Sequence, residues 1–223
     1  MAQVTLRVID GADRGKVFEN VDTPLTIGRE EGNTVQLNDE RISRFHIKIQ
    51  VDQDRLVLTD LESTNGTRVN GQQTQLRILR FGDVIGLGRS QLLYGTREQI
   101  AARLDDLRAS GIVPADELEG SSLARHARAT SDDLSWTESG NLRSTLHIPS
   151  VPELPEGLSP GQAAQISELI EYLHLRAHAL SDHARVSEDE REVTMSIENW
   201  QEILDLQSVL AEYVRKIGEP GSE

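Results

Sequence analysis

Through the first 95 residues, apolar side chains return at every second position, in runs that turn residues keep cutting short. In residues 3–9, Val4, Leu6 and Val8 share one face, and Asp10-Gly11 ends the run. That period commits the chain to pleated strands, because successive side chains of a strand point to opposite faces. Further short strands are expected at 16–19, 24–28, 34–37, 45–51 and 55–60, the fourth of these with Phe45, Ile47, Ile49 and Val51 inward. Pro24 opens its strand, where a missing N–H does least harm. Asn65-Gly66 and Asn70-Gly71 both read as tight hairpin turns, since type I′ turns need positive φ at both central residues. Leu76, Ile78, 84–87 and 91–94 supply the last strands. Many short strands between Gly and Asn turns point to an all-β sandwich.

The period then changes. Ile100, Leu104 and Leu107 stand at helical spacing, so a short helix is expected over 96–110, ending at Gly111. Residues 111–158 have scattered apolar side chains and three prolines in quick succession (Pro149, Pro152, Pro155), as a flexible linker would. Residues 159–218 read as an antiparallel helical hairpin. Ser159-Pro160 offers an N-cap followed by Pro at the first helical position. Ser187-Glu188-Asp189-Glu190 matches a capping box for the second helix, placing Val193 on its apolar seam with Ile197, Trp200, Leu204 and Val214. Two helices alone rarely bury enough surface. Self-association through 159–218, docking on the sandwich, or capture of another protein's helix is therefore expected.

Composition narrows the function. No run of eighteen apolar residues exists, and the N-terminus has no export pattern, so a cytoplasmic protein is expected. There is no cysteine, which removes disulfides and thiolate chemistry. The formal net charge of -14 argues against nucleic acid and anionic membranes as partners. That charge is uneven: residues 1–95 carry a net -1 and residues 156–223 a net -9. A locally positive anion site is therefore possible in the β-rich part.

Three strand-connecting stretches there carry short hydroxyls, guanidinium groups and a carboxamide: Arg29, then Ser43 and Arg44, then Thr64 and Asn65. Arg supplies paired donors in a fixed fork, and Ser or Thr a short hydroxyl donor. Such a set suits a phosphate, which offers close to two negative charges and three acceptor oxygens. No catalytic set is found. Ser43 and His46 lack an orienting carboxylate at an evident spacing, and His174, His178 and His183 read as surface residues rather than metal ligands. No cofactor or metal is expected.

In order, Ile27-Gly28-Arg29, Ser43-Arg44-Phe45-His46, Ser63-Thr64-Asn65-Gly66-Thr67, Val69-Asn70-Gly71 and Phe81-Gly82-Asp83-Val84-Ile85 resemble a forkhead-associated (FHA) domain over residues 1 to 95. The resemblance implies a sandwich of about eleven strands that binds phosphothreonine peptides through loops at one end. It implies that Arg29 and Ser43 bond the phosphate, Arg44 adds a second cation, Thr64 contacts the phosphate or braces its loop, and Asn65 holds the peptide backbone. Gly28, His46, Gly66 and Asn70 would structure the loops. The helical tail is not covered. Thr130 with Asp133, and Thr145 with Ile148, fit the family's habit of reading the third residue after the phosphothreonine, which makes both linker threonines candidate self-ligands. The expected function is a non-catalytic signalling adaptor for the substrates of Ser/Thr kinases. The alternative is a phosphate-independent scaffold whose helical hairpin carries the main interaction.

Overall fold

The computed structural model describes residues 2–110, 124, 152–182, 184–186 and 192–218. Thr130 and Thr145, and the Ser187–Glu190 capping box, lie outside them. The described chain forms two compact units, the second spanning Pro152–Ile217.

In the first unit eleven strands form two sheets. They are β1 (Gln3–Asp10), β2 (Val17–Asp22), β3 (Leu25–Gly28), β4 (Val35–Gln36), β5 (Ile47–Asp52), β6 (Arg55–Asp60), β7 (Thr67–Val69), β8 (Gln72–Thr74), β9 (Leu76–Ile78), β10 (Val84–Leu87) and β11 (Ser90–Tyr94). One sheet has the order β2-β1-β11-β10-β7-β8, the other β4-β3-β5-β6-β9. Side chains read from the period-two pattern fill the space between them. Leu6, Ile27, Ile47, Ile49, Leu58, Ile85 and Leu92 are all buried there. This is the expected sandwich.

Three apolar doublets, Val8-Ile9, Val84-Ile85 and Leu92-Leu93, break the alternation because their strands are covered on both faces. The cover is α1 (Arg97–Ser110), which places Ile100, Leu104 and Leu107 against Ile9, Val84 and Leu93. A reciprocal cap starts it: the Gln99 amide donates to Thr96 Oγ1, and the Thr96 amide to Gln99 Oε1. Arg103 holds it down, donating from Nη1 to the Phe81 carbonyl at 2.6 Å and lying 3.7 Å from Asp83.

Two local expectations fail. Phe45 is 46% exposed and Val51 is exposed, because β5 begins only at Ile47 and Val51 lies at its outer end. Asn65-Gly66 is not a hairpin turn. Gly66 has φ +73° but Asn65 is not in the left-handed region, and the segment carries the chain from β6 in one sheet to β7 in the other. Asn70-Gly71 does behave as expected, with φ +53° and +81° joining the paired strands β7 and β8.

The second unit contains α2 (Pro160–Asp182) and α3 (Ile197–Gly218). Ser159 caps α2 reciprocally with Gln162. The helices are antiparallel. Arg176 pairs with Glu202 at 3.7 Å, while Leu169 and Tyr172 share a groove with Tyr213 and Ile217. The connection is longer than expected. It includes a two-stranded ribbon, β12 (Arg185–Val186) with β13 (Val193–Thr194), so Val193 belongs to a strand rather than to the helical seam. The described cap of α3 is Ser196, whose Oγ accepts the Asn199 amide at 3.2 Å. Among the described residues no helix is long and apolar enough to cross a membrane.

Candidate functional site

Strand register brings the three anion-friendly stretches to one end of one sheet. β5 lies between β3 and β6, and Ile27, Ile47 and Asp60 stand side by side across it. The chain leaves β3 at Gly28, enters β5 at Ile47 and leaves β6 at Asp60, so all three connections emerge together. The ladder continues into the loops: His46 N donates to Ile27 O at 2.9 Å and Leu61 N to His46 O at 2.8 Å.

Hydrogen bonds then tie each loop to the next. Arg29 N donates to the Ser43 carbonyl at 3.1 Å, and the Arg29 carbonyl accepts from Gln36 Nε2 at 3.0 Å. Thr64 N donates to Ser43 Oγ at 3.1 Å. Asn65 Nδ2 donates to the Arg41 carbonyl at 2.7 Å. These bonds fix the backbones under Arg29, Ser43, Thr64 and Asn65 relative to one another. Because Ser43 Oγ already accepts a bond, its own proton is the donor left to offer a ligand. Asn65 keeps its carbonyl and a second N–H. Arg29 and Arg44 are exposed, and neither guanidinium has an ion pair among the described residues.

Sequence reasoning passed over Asn33. It is almost fully buried, and its Nδ2 donates both to the Glu30 carbonyl at 2.9 Å and to the Arg44 carbonyl at 2.7 Å, stapling the two arginine-bearing loops together. Gly28, at the end of β3 rather than in a turn, permits that approach. A Cβ there would lie 2.1 Å from the Arg44 carbonyl oxygen and 2.7 Å from Asn33 Nδ2. A short gap between Gly28 and Asn33 in sequence was the only available signal.

His46 is fully buried beneath the loops. Its Nδ1 accepts the Ser43 amide at 3.0 Å, which leaves the proton on Nε2, 3.4 Å from the Gly66 carbonyl. Burial pushes the ring's pKa down, against the pull of the Asp60 carboxylate. The ring is therefore neutral, and the 3.9 Å from Nε2 to Asp60 Oδ2 is an approach rather than a charged pair. Asp60, also missed in the sequence, accepts from Ser63 N at 2.8 Å, Ser63 Oγ at 2.6 Å and Thr67 Oγ1, and so folds the 61–66 loop. Asp39 secures the Ser43 loop from the other side, accepting the Arg41 amide at 2.9 Å and the Arg89 amide at 2.6 Å. Burial raises its pKa, but those two amides, the Ser90 hydroxyl and the Arg89 charge together hold the carboxyl below its ordinary value.

Gly66 sits in the site, where its positive φ shapes the loop over His46. Asn70 does not. It is at the far end of β7, exchanging bonds with Asp83 and Val84 at 2.9 Å. On α2, His178 pairs with Asp182 at 3.0 Å, and no cluster able to hold a metal occurs among the described residues, outside which His183 lies.

Residues 25–88 match the family model of the FHA domain. FhaA, an FHA domain-containing protein of Mycobacterium tuberculosis, is 39% identical over 90 residues, which is 40% of this chain and 17% of that protein. An oxoglutarate dehydrogenase inhibitor of Corynebacterium efficiens is 29% identical over 84 residues, 38% of this chain and 59% of that protein. The chain thus spans less than two thirds of either relative. A crystal structure of the FhaA FHA domain complexed with the intracellular domain of another protein is 38% identical, covering 41% of this chain and 99% of that one, with a TM-score of 0.38. Residues 25–88 thus form an FHA domain within the first unit.

Proposed function

We propose that this FHA domain binds phosphothreonine segments of other proteins and that the chain is a non-catalytic signalling adaptor. The observation that carries the reading is the pair of exposed guanidinium groups, Arg29 and Arg44, neither with an ion pair among the described residues, on backbones locked to Ser43. A phosphate dianion would take a forked bond from Arg29, the Ser43 proton and the second charge of Arg44. Thr64 would sit beside the phosphate, and Asn65 would grip the peptide backbone with its remaining N–H and carbonyl. The loop backbones are preorganised, so the ordering cost of binding falls on the side chains, chiefly the two exposed arginines.

Hydrolysis is not supported by this arrangement. The imidazole receives the amide of Ser43, not its hydroxyl, and its other nitrogen faces a backbone carbonyl. The relatives point the same way: one is named an inhibitor of a dehydrogenase, and another similar structure comes from a study of phosphothreonine-dependent FHA interactions. Partners of this kind are the products of Ser/Thr kinases, which suits a cytoplasmic adaptor. The helical unit would serve association. Its α3 exposes large apolar side chains that a lone hairpin leaves in water.

Fluorescence anisotropy with a labelled phosphothreonine peptide, chosen from an oriented library, tests the site. Replacing Arg29 or Ser43 by Ala removes a charge-assisted bond of ~1.5–3 kcal/mol and is expected to weaken binding by about ten- to a hundredfold. Unchanged affinity in both folded variants would refute the assignment.

A further inference from the structure

Helix α3 has two apolar faces. One, including Ile203 and Leu206, is half-buried. The other runs Ile197, Trp200, Leu204, Gln207, Ala211, Val214, at alternating spacings of three and four. That is the a/d seam of a coiled coil over three heptads. All six side chains are exposed: Ile197 by 84%, Trp200 by 52% and Val214 by 65%. The seam is separate from the groove between α2 and α3, which Leu169, Tyr172, Tyr213 and Ile217 line.

We infer that this seam is a dimer interface whose occupant is the same helix of a second copy, lying antiparallel. Antiparallel coiled coils stack a positions on d positions of the partner helix. The present seam is self-complementary in that direction. Large Trp200 falls opposite small Ala211, Ile197 opposite Val214, and Leu204 opposite Gln207, with the two-fold axis between Asp205 and Leu206. The polar Gln207 layer falls beside the axis, where one polar pair fixes register.

Layer size, helix dipole and end charge all favour the antiparallel arrangement. α3 carries Glu198 in its first turn, with Glu202 and Asp205 following, and Arg215 and Lys216 in its last turn. Antiparallel helices set each acidic end beside the other copy's basic end, and oppose their dipoles. Parallel helices would instead stack Trp200 on Trp200 and Ala211 on Ala211, and would align their dipoles. The positions flanking the seam on one side, Gln201, Ser208 and Arg215, carry no acid. The unit's negative charge therefore does not meet itself across the contact. This inference specifies the association role of the helical unit and does not depend on the phosphate site.

Two measurements on the full chain test it. Sedimentation velocity at tens of micromolar should give the dimer mass, and Trp200→Glu should return the monomer with helical circular dichroism retained. Because the chain has no cysteine, disulfides report orientation directly. Residues 197 and 214 lie about 26 Å apart along one helix, beyond disulfide reach. In an antiparallel pair the double variant Ile197→Cys/Val214→Cys should oxidise to a covalent dimer, while each single variant should not. A monomeric wild-type chain would overturn the proposal and leave the seam to a different protein. Efficient crosslinking of the single variants would overturn the antiparallel register. A monomer that still binds phosphopeptide would leave the FHA reading intact.

Discussion

Ser43 and His46 stand three residues apart and could pass for a nucleophile and its base, yet the ring serves the loop. Its Nδ1 accepts the Ser43 amide, and burial lowers its pKa below the ordinary value near 6.5. The unfolded chain therefore takes up a proton on falling through pH 6.5 while the folded chain resists it. The stabilisation is complete above that pH and declines below it. Melting temperature should fall between pH 7.5 and 5.5, and His46→Gln should be less stable throughout but flatter across that range. An equal slope in both proteins would contradict the buried neutral ring. Gly28 gives a second test at this scale. Gly28→Ala drives a Cβ to 2.1 Å from the Arg44 carbonyl. It should destabilise the domain by about 1–3 kcal/mol, read by denaturant melts, and weaken phosphopeptide binding as the loops part. Asn33→Ala removes the staple between the same loops. It should weaken binding with a smaller stability loss, near ~1–2 kcal/mol for two hydrogen bonds.

At the scale of elements, strands were legible where one rule governed them. β3 and β5, and β1 as far as Val8, alternate because one face meets the other sheet, and their cores follow from the spacing. Phe45 and Val51 fit the same alternation and fail, since period alone does not say where a strand begins or how far the opposing sheet reaches. Asn65-Gly66 and Asn70-Gly71 are indistinguishable as dipeptides. Only the pairing partners of β6 and β7, which lie in different sheets, make one a crossover and the other a turn. The site residues were legible as exposed donors, but Asp60 and Asn33 were not, because their work is to satisfy backbone groups of loops whose proximity is a tertiary fact. Helix α1 was visible as a helix, and its docking was visible only in the apolar doublets of the strands beneath. Leu104→Ala should cost about 2–5 kcal/mol, measured by denaturant unfolding, if α1 is part of the domain's core. A loss below ~0.5 kcal/mol would mean the helix is an appendage.

The whole molecule divides its labour by charge and by shape. The FHA unit is near neutral, at net -1 over residues 1–95, which leaves room for a local anion site, while residues 156–223 carry -9 of the chain's net -14. Binding that rests on phosphate and guanidinium should weaken with salt, and again as the phosphate takes up its second proton near pH ~6. A dimer built through α3 would carry two such readers, so a doubly phosphorylated partner should bind more tightly than either site alone allows. All of this rests on the claim that the loops recognise the phosphate itself. The most direct measurement is isothermal titration of the full chain with one threonine peptide in phosphorylated and unphosphorylated form. The account predicts binding of the phosphopeptide with at least about a hundredfold loss on removing the phosphate, the equivalent of ~2.7 kcal/mol. Equal affinity for the two peptides would contradict it.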